Sequence, residues 1–235
     1  MAGINIIVAD PPYGFGDGLS MSKVKRGAKS HYKTMSINEM CELDIKNMID
    51  PEGALLALWV PSSLLQNGLD IMKAWGFQQK QTFIWVKTKK EPLGFIQKSI
   101  KTKINAEKIS AKIEKIVFSL GALSQLNLQN ILGFGMGRLF RGCHEICLIG
   151  INNTGIYKKL RNRSQRSVVF STNYKHSQKP EALQDSLDLM YPDDVVKVEL
   201  FARRKREGWV CLGNEVCDGE DIRDSIEKLK TKGII

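Results

Sequence analysis

The chain has 235 residues, 43% of them hydrophobic, which is enough for a real core and excludes a disordered chain. That length sets one domain, 1–235, with room for an insertion. The formal charge of +10 points to a polyanionic partner, and the longest apolar stretches, near 53–61 and 145–151, fall short of the roughly 20 residues that cross a bilayer.

Ile6-Ile7-Val8-Ala9 reads as a short, β-branched, fully buried strand. Asp10-Pro11-Pro12-Tyr13 follows, and the prolines stop the strand by fixing φ and removing backbone donors. An acid is thereby left at the carboxyl end of a buried strand, where open α/β sheets hold their ligands. A glycine-rich loop comes next. Lys23, Lys25, Arg26, Lys29 and Lys33 then fall close together with Tyr32 among them and no acid. Cations for phosphates interleaved with rings for bases suit nucleic acid.

Ser36 and Glu39 form a capping-box pair that starts a helix expected to reach about Met48. Residues 53–60 read as a second buried strand. A helix over 64–75 follows, closed by Gly76, and 81–87 give a third strand. Alternation of strand and helix predicts an α/β fold with a mostly parallel sheet. The stretch 88–132 breaks that rhythm. It is rich in lysine, with apolar residues at helical spacing, and is expected to be a helical insertion.

Arg138, Arg141 and His144 lead into a strand at 144–150. The loop after it, 152–167, carries Lys158, Lys159, Arg161, Arg163 and Arg166, a composition suited to a nucleic-acid groove. Pro180 and Glu181 open a helix to about Tyr191. The strand expected over 195–201 carries Glu199, an acid in an apolar run that needs a partner. A short strand, 209–212, ends at Gly213-Asn214-Glu215, and a charged helix closes the chain.

The five cysteines contain no Cys-x-x-Cys pair, and the amino end lacks a signal-peptide layout. These features lead us to expect reduced thiols in a cytoplasmic protein with no metal site.

An ordered set of pieces resembles the S-adenosylmethionine-dependent adenine-N6 methyltransferases typified by the catalytic subunit of the messenger-RNA adenosine methyltransferase. The pieces are Asp10-Pro11-Pro12-Tyr13, Tyr32-Lys33-Thr34-Met35-Ser36, Leu58-Trp59-Val60, Trp85-Val86-Lys87, Arg141-Gly142-Cys143-His144-Glu145, His176-Ser177-Gln178-Lys179-Pro180, Glu199-Leu200-Phe201-Ala202-Arg203 and Gly213-Asn214-Glu215. The resemblance covers the chain outside 88–132. Tyr13 stands where the messenger-RNA enzyme has Trp, and the related DNA enzymes commonly have Tyr.

The resemblance implies a Rossmann-like methyltransferase fold with S-adenosylmethionine as cofactor and adenine in DNA as substrate. RNA, or a catalytically inactive nucleic-acid-binding subunit, stands as the alternative, and a homodimer is left open. Asp10, Pro11, Pro12 and Tyr13 would be catalytic. Asp10 and the Pro11 carbonyl would hold the amine, and Tyr13 would stack on the base. Asp10, Lys179, Glu199, Phe201, Arg203, Asn214 and Glu215 would bind the cofactor. For Lys179 and Glu199 a structural ion pair beneath the site is the competing reading.

Overall fold

The computed structural model describes residues 3–14, 34–90, 131–135, 139–172, 178–217 and 219–231. The elements run β1 (Ile6–Ala9), α1 (Ile37–Cys41), β2 (Leu55–Val60), α2 (Leu65–Ala74), β3 (Gln78–Thr88), β4 (His144–Ile151), β5 (Val168–Thr172), α3 (Ala182–Met190), β6 (Lys197–Leu200), β7 (Val210–Leu212) and α4 (Ile222–Thr231). The strands hydrogen-bond in the order β5-β3-β4-β2-β1-β6-β7. β1 pairs in parallel with both β2 and β6, and β6 in parallel with β7. β3 and β5 are also parallel, while β4 runs antiparallel to β2. The fold is mixed α/β with a mostly parallel sheet, as the alternation of elements predicts.

The chain divides into two compact units. The first comprises Met1–Phe83, Ile146–Ser167 and Glu181–Ile235. Its core is built on β1, β2 and β6, whose Ile7, Ala9, Leu56, Leu58, Val198 and Leu200 all lie within 1% of full burial. Ile71, Met72 and Trp75 of the α2 region and Ile226 and Leu229 of α4 join the same cluster. Trp75 satisfies its indole N–H on the Met40 carbonyl at 2.8 Å, as a buried indole must.

The pairing of β1 with β6 closes a long gap in the sequence. Ala9 lies opposite Leu200, and the Asn5 carboxamide ties the start of both strands. Its Oδ1 accepts from Val196 N–H at 3.1 Å, and its Nδ2 donates to Asp50 Oδ2 at 2.7 Å.

The second unit comprises Ile84–Glu145 and Val168–Pro180. Within it, Trp85 donates its indole N–H to the Ser171 carbonyl across the β3–β5 pair at 3.0 Å. Thr88 bridges Leu132 antiparallel, and Gly133 N–H returns to the Lys87 carbonyl at 2.8 Å. Thr88 and Leu132 are thus bridged neighbours at the two ends of that stretch. Residues 91–130 of that segment lie outside the described residues.

Several boundaries differ from the sequence expectations. The capping box is present, with Glu39 N–H donating to Ser36 Oγ at 3.2 Å and Ser36 N–H to Glu39 Oε2 at 2.8 Å. The helix it opens nevertheless ends at Cys41. Turns replace its expected second half, where Asn47 donates to Asp44 Oδ1 at 2.8 Å, the local side-chain bonding that competes with helix. Gly76 closes α2 as expected, at φ 86°. β5 has no counterpart in the sequence reading, and the loop 152–167 contains a 3-10 turn, Thr154–Lys159.

Candidate active site

The first unit brings the carboxyl ends of β1, β6 and β7 to one edge. Chain order reverses direction at β1: β2 lies on one side of it, and β6 with β7 on the other. The crevice beyond the β1 and β6 carboxyl ends is thus a topological switch point, the position where doubly wound sheets bind ligands. Asp10 follows Ala9 there, and Phe201 follows Leu200, the partner of Ala9 in the register.

Pro11 and Pro12 shape the chain just past Asp10. Tyr13 N–H donates to the Pro11 carbonyl at 2.9 Å, a three-residue turn centred on Pro12 that the fixed proline φ suits. The Pro12 carbonyl accepts from Met35 N–H at 3.0 Å, and Tyr13 bridges Met35 in parallel. The Pro11 carbonyl, expected to hold the amine, thus already accepts from Tyr13 through one of its two lone pairs.

Tyr13 also departs from its expected role as an open stacking face. It is 4% exposed, sits in the core cluster and donates its hydroxyl to the Trp59 carbonyl at 3.1 Å. Burial first, and then the Asp10 charge, push the phenol far above its usual range, so it stays a neutral donor. Its ring in this structure packs the base of the site. Trp59, whose carbonyl takes that bond near the end of β2, meets Phe83 edge to face at 6.2 Å.

At the β6 end, Phe201 takes φ 61°, the left-handed region, although it is not glycine. An L-residue there costs on the order of 1–2 kcal/mol, and such strain gathers at ligand sites. The β7 end explains how the bend is held. Gly213 approaches so closely that an added Cβ would lie 2.4 Å from the Ala202 carbonyl oxygen and 3.0 Å from the Phe201 carbonyl carbon. Beyond it, Arg203 Nε and Glu215 Oε1 form an ion pair at 2.7 Å, with Asn214 exposed between the paired loops. Asp10, Glu199, Phe201, Arg203, Asn214 and Glu215 are thus all carried by the three adjacent strands at this edge.

Glu199 finds the partner its sequence context requires. The Gln184 carboxamide of α3 hydrogen-bonds it. Burial, reinforced by the nearby Asp10 charge, raises its carboxyl above the usual range despite the opposing Gln184 bond and Arg206 charge. Around it, α3 is clamped to the loop before β7. Arg206 bonds Glu181 at 2.8 Å and Asp185 and Asp188 at 2.7 Å, while Asp188 accepts from the buried Lys197 at 2.8 Å and from the Trp209 indole at 3.0 Å. None of this clamp is legible as a motif, because its members lie on three elements.

In the second unit, Lys179 pairs with Glu145 Oε2 at 3.2 Å, and Lys87 with Glu145 Oε1 at 2.7 Å. Lys87 also stands over the Trp85 ring at 5.1 Å, within cation–π range. Burial alone would raise the Glu145 carboxyl, but the two ammonium groups outweigh it and hold it low. Lys179 thus has Glu145 as a partner within the second unit, and Glu199 has Gln184 within the first.

The basic residues separate by place. Lys158, Arg161, Arg163 and Arg166 are exposed, whereas Lys159 is paired with Asp50 at 2.9 Å. Their loop follows Ile151, which lies opposite Leu55 at the amino end of β2. Asn152 fixes it there through Ala54 N–H at 2.5 Å and the Asp50 carbonyl at 2.9 Å. Asp10 stands at the other end of the parallel strands, so the length of β2, roughly 20 Å at 3.3 Å per residue, separates it from the loop. Arg141 and His144 are exposed in the second unit. Lys23, Lys25, Arg26, Lys29, Tyr32, Lys33 and Arg138 lie outside the described residues. Among the described residues, no group of three or more His, Cys, Asp or Glu side chains could hold a metal ion, and no helix is long and apolar enough to cross a membrane.

A family profile described as MT-A70 matches residues 4–120 and 122–215. The chain belongs to the MT-A70 family. It is similar to the type II methyltransferase M.MunI of a Mycoplasma species, 23% identical over 232 residues that cover 92% of this chain and 78% of that one. It is also similar to the human N6-adenosine-methyltransferase catalytic subunit METTL3, 24% identical over 224 residues, and to an Arabidopsis thaliana N6-adenosine-methyltransferase MT-A70-like protein, 23% identical over 214. These alignments cover 93% and 90% of this chain but only 29% and 23% of the relatives. The chain thus spans about a quarter of the length of these eukaryotic MT-A70 relatives.

Proposed function

We propose that this MT-A70 chain transfers a methyl group from S-adenosylmethionine to the exocyclic N6 amine of adenine in DNA. The observation that carries the reading is the seating of Asp10-Pro11-Pro12 at the switch point, flanked by the strained Phe201 and the Gly213 contact. The donor set fits such a cofactor. Two acids, Asp10 and Glu199, lie where a cationic end would sit, and Asn214 offers both donor and acceptor to ribose hydroxyls beside the Arg203–Glu215 pair. Lys179 suits the cofactor carboxylate by charge. The bound cofactor supplies an electrophilic methyl group on a sulfonium.

The adenine amine is a poor nucleophile because its lone pair is delocalised into the ring. Asp10 accepts one amine hydrogen, and the remaining lone pair of the Pro11 carbonyl accepts the other. Held by both, the nitrogen moves toward a tetrahedral shape and frees its lone pair for in-line attack. With S-adenosylmethionine held in the crevice, the amine would take its methyl group from the sulfonium, and Asp10 or water would accept the proton that the amine loses. The positive charge developing on nitrogen is stabilised by half-buried Asp10, and positioning of the two reactants supplies much of the rest. In a duplex, the base must first be flipped out at a cost of a few kcal/mol.

The basic composition supports a nucleic-acid substrate, and the type II methyltransferase relative, of which the chain covers 78%, favours DNA over RNA. The test is methyl transfer from labelled S-adenosylmethionine to a long DNA of known sequence, with RNA as competitor and the modified adenines mapped. Asp10→Ala is expected to fold and to abolish transfer. Full activity in that variant refutes the catalytic role, preferential labelling of RNA moves the substrate, and absence of S-adenosylmethionine binding returns the reading to an inactive nucleic-acid-binding subunit.

A further inference from the structure

Glu199 lies on the face of β6 that α3 covers, in register with Val8 on one side and Cys211 on the other. Gln184 of α3 is 5% exposed and reaches this carboxyl. Among the described residues, two buried side-chain oxygens are left without a hydrogen-bond partner, and they belong to these same two residues: Glu199 Oε2 and Gln184 Oε1. A buried acceptor left unmet is costly, and two acceptor oxygens, one of a carboxylate and one of an amide, cannot satisfy each other. One proton on Glu199 resolves both deficits. The Gln184 amide donates through Nε2 to one Glu199 oxygen, and the protonated Glu199 oxygen donates to Gln184 Oε1.

We propose that Gln184 is a positioning residue that holds Glu199 as a neutral carboxylic acid in a cyclic acid–amide pair beneath the switch point. Asp10 then carries the single negative charge between the β1 and β6 ends, and Glu199 contributes a donor and an acceptor fixed in direction by α3. The groups facing Glu199 agree with this. Asp10 at the end of β1 opposes a second charge, and Cys211 on β7 is itself held protonated, mainly by burial. Arg206 opposes neutralisation from the loop before β7, but it is engaged by Glu181, Asp185 and Asp188. The last of these also takes Lys197. Burial of the carboxyl acts in the same direction as Asp10.

The test is infrared spectroscopy of the protein alone at neutral pH, so it stands or falls separately from methyl transfer. A carbonyl band of a protonated carboxylic acid, shifted in heavy water, is expected in the wild type and absent in Glu199→Gln. Gln184→Leu is expected to move that band to higher frequency, since its carbonyl loses a donor; Gln184→Met replaces this variant if leucine does not fold. The pH profile gives a second reading. An acid whose folded pKa is raised loses stability as pH climbs from the unfolded value through the folded one. The melting temperature of Glu199→Gln is therefore expected to match or exceed that of the wild type, with the gap widening as pH rises above the ordinary glutamate range. Absence of the acid band, an unmoved band in the Gln184 variant, or a Glu199→Gln protein that is less stable or fails to fold each overturns the proposal, because the amide reproduces the neutral acid in shape.

Discussion

Replacing Gly213 by alanine tests whether the β6–β7 edge is part of a working site. The added Cβ would sit 2.4 Å from the Ala202 carbonyl oxygen, 2.7 Å from the Ala202 nitrogen and 3.0 Å from the Phe201 carbonyl carbon, all backbone atoms. Ordinary contact begins at 3.4 Å, so the two strand ends must part by about 1 Å, because no flexible side chain can yield. Overpacking of this size costs about 1–3 kcal/mol of stability. The larger effect falls on the site, since a displacement of about 1 Å can cost on the order of a hundredfold in rate. Cofactor affinity is expected to fall at least tenfold, measured by titration calorimetry on protein shown to be folded by circular dichroism. Gly208→Ala is the control. Gly208 has a left-handed φ, 73°, which Gly213 lacks, but an added Cβ there meets nothing within 4 Å. Its backbone penalty, roughly 1 kcal/mol, is a loss of stability that does not move the edge. Wild-type S-adenosylmethionine affinity in folded Gly213→Ala would refute the assignment of this edge to the cofactor.

Three other outcomes follow from the Glu145 ion pairs, the buried phenol and the basic loop. Glu145→Gln is expected to lower the melting temperature at neutral pH. A carboxyl whose folded pKa is depressed stabilises above the unfolded value, about 4.3, so the gap should close as pH falls below it; a gap independent of pH removes the charge from the account. Tyr13→Phe deletes the bond to the Trp59 carbonyl and is expected to cost about 1 kcal/mol by urea denaturation; an unchanged midpoint would show that the bond contributes nothing net. Neutralising Arg161, Arg163 and Arg166 together is expected to reduce the salt slope of DNA binding by about 0.9 for each cation that meets a phosphate. An unchanged slope would take this loop out of the nucleic-acid surface.

The parts of the fold legible in the sequence are those whose cause is local. Ile6–Ala9 is a strand because a β-branched run ends at two prolines, and Ser36 with Glu39 caps a helix within four residues. Gly76 ends α2 because only a left-handed residue fits there. β5 is not legible because Val168–Thr172 has no buried residue and, among the described residues, pairs with β3 alone, so its sequence shows neither a long apolar run nor alternation. The antiparallel direction of β4 is a property of its neighbour, not of its residues. At the candidate site, the Asp10 turn and the β6 and β7 ends could be named from motifs. Glu145 as the shared partner of Lys87 and Lys179 could not, nor could Gln184 beneath Glu199, because each contact joins elements far apart in the chain. The placement of loop 152–167 at the amino end of β2 likewise needs the direction of β4.

The bond from Val196 N–H to the Asn5 side chain spans 191 residues, and this gives the site a schedule. On a ribosome, β1 emerges first and has only β2 to pair with; its other edge stays open until β6 arrives. At about 5–20 residues per second, that interval is on the order of 10–40 s. Throughout it, Asp10 is present but no crevice exists, since one wall of the crevice has not been made. The proposed chemistry has no site until the segment that carries β6 has been translated. The open β1 edge is also the segment most in need of protection from mispairing during that wait.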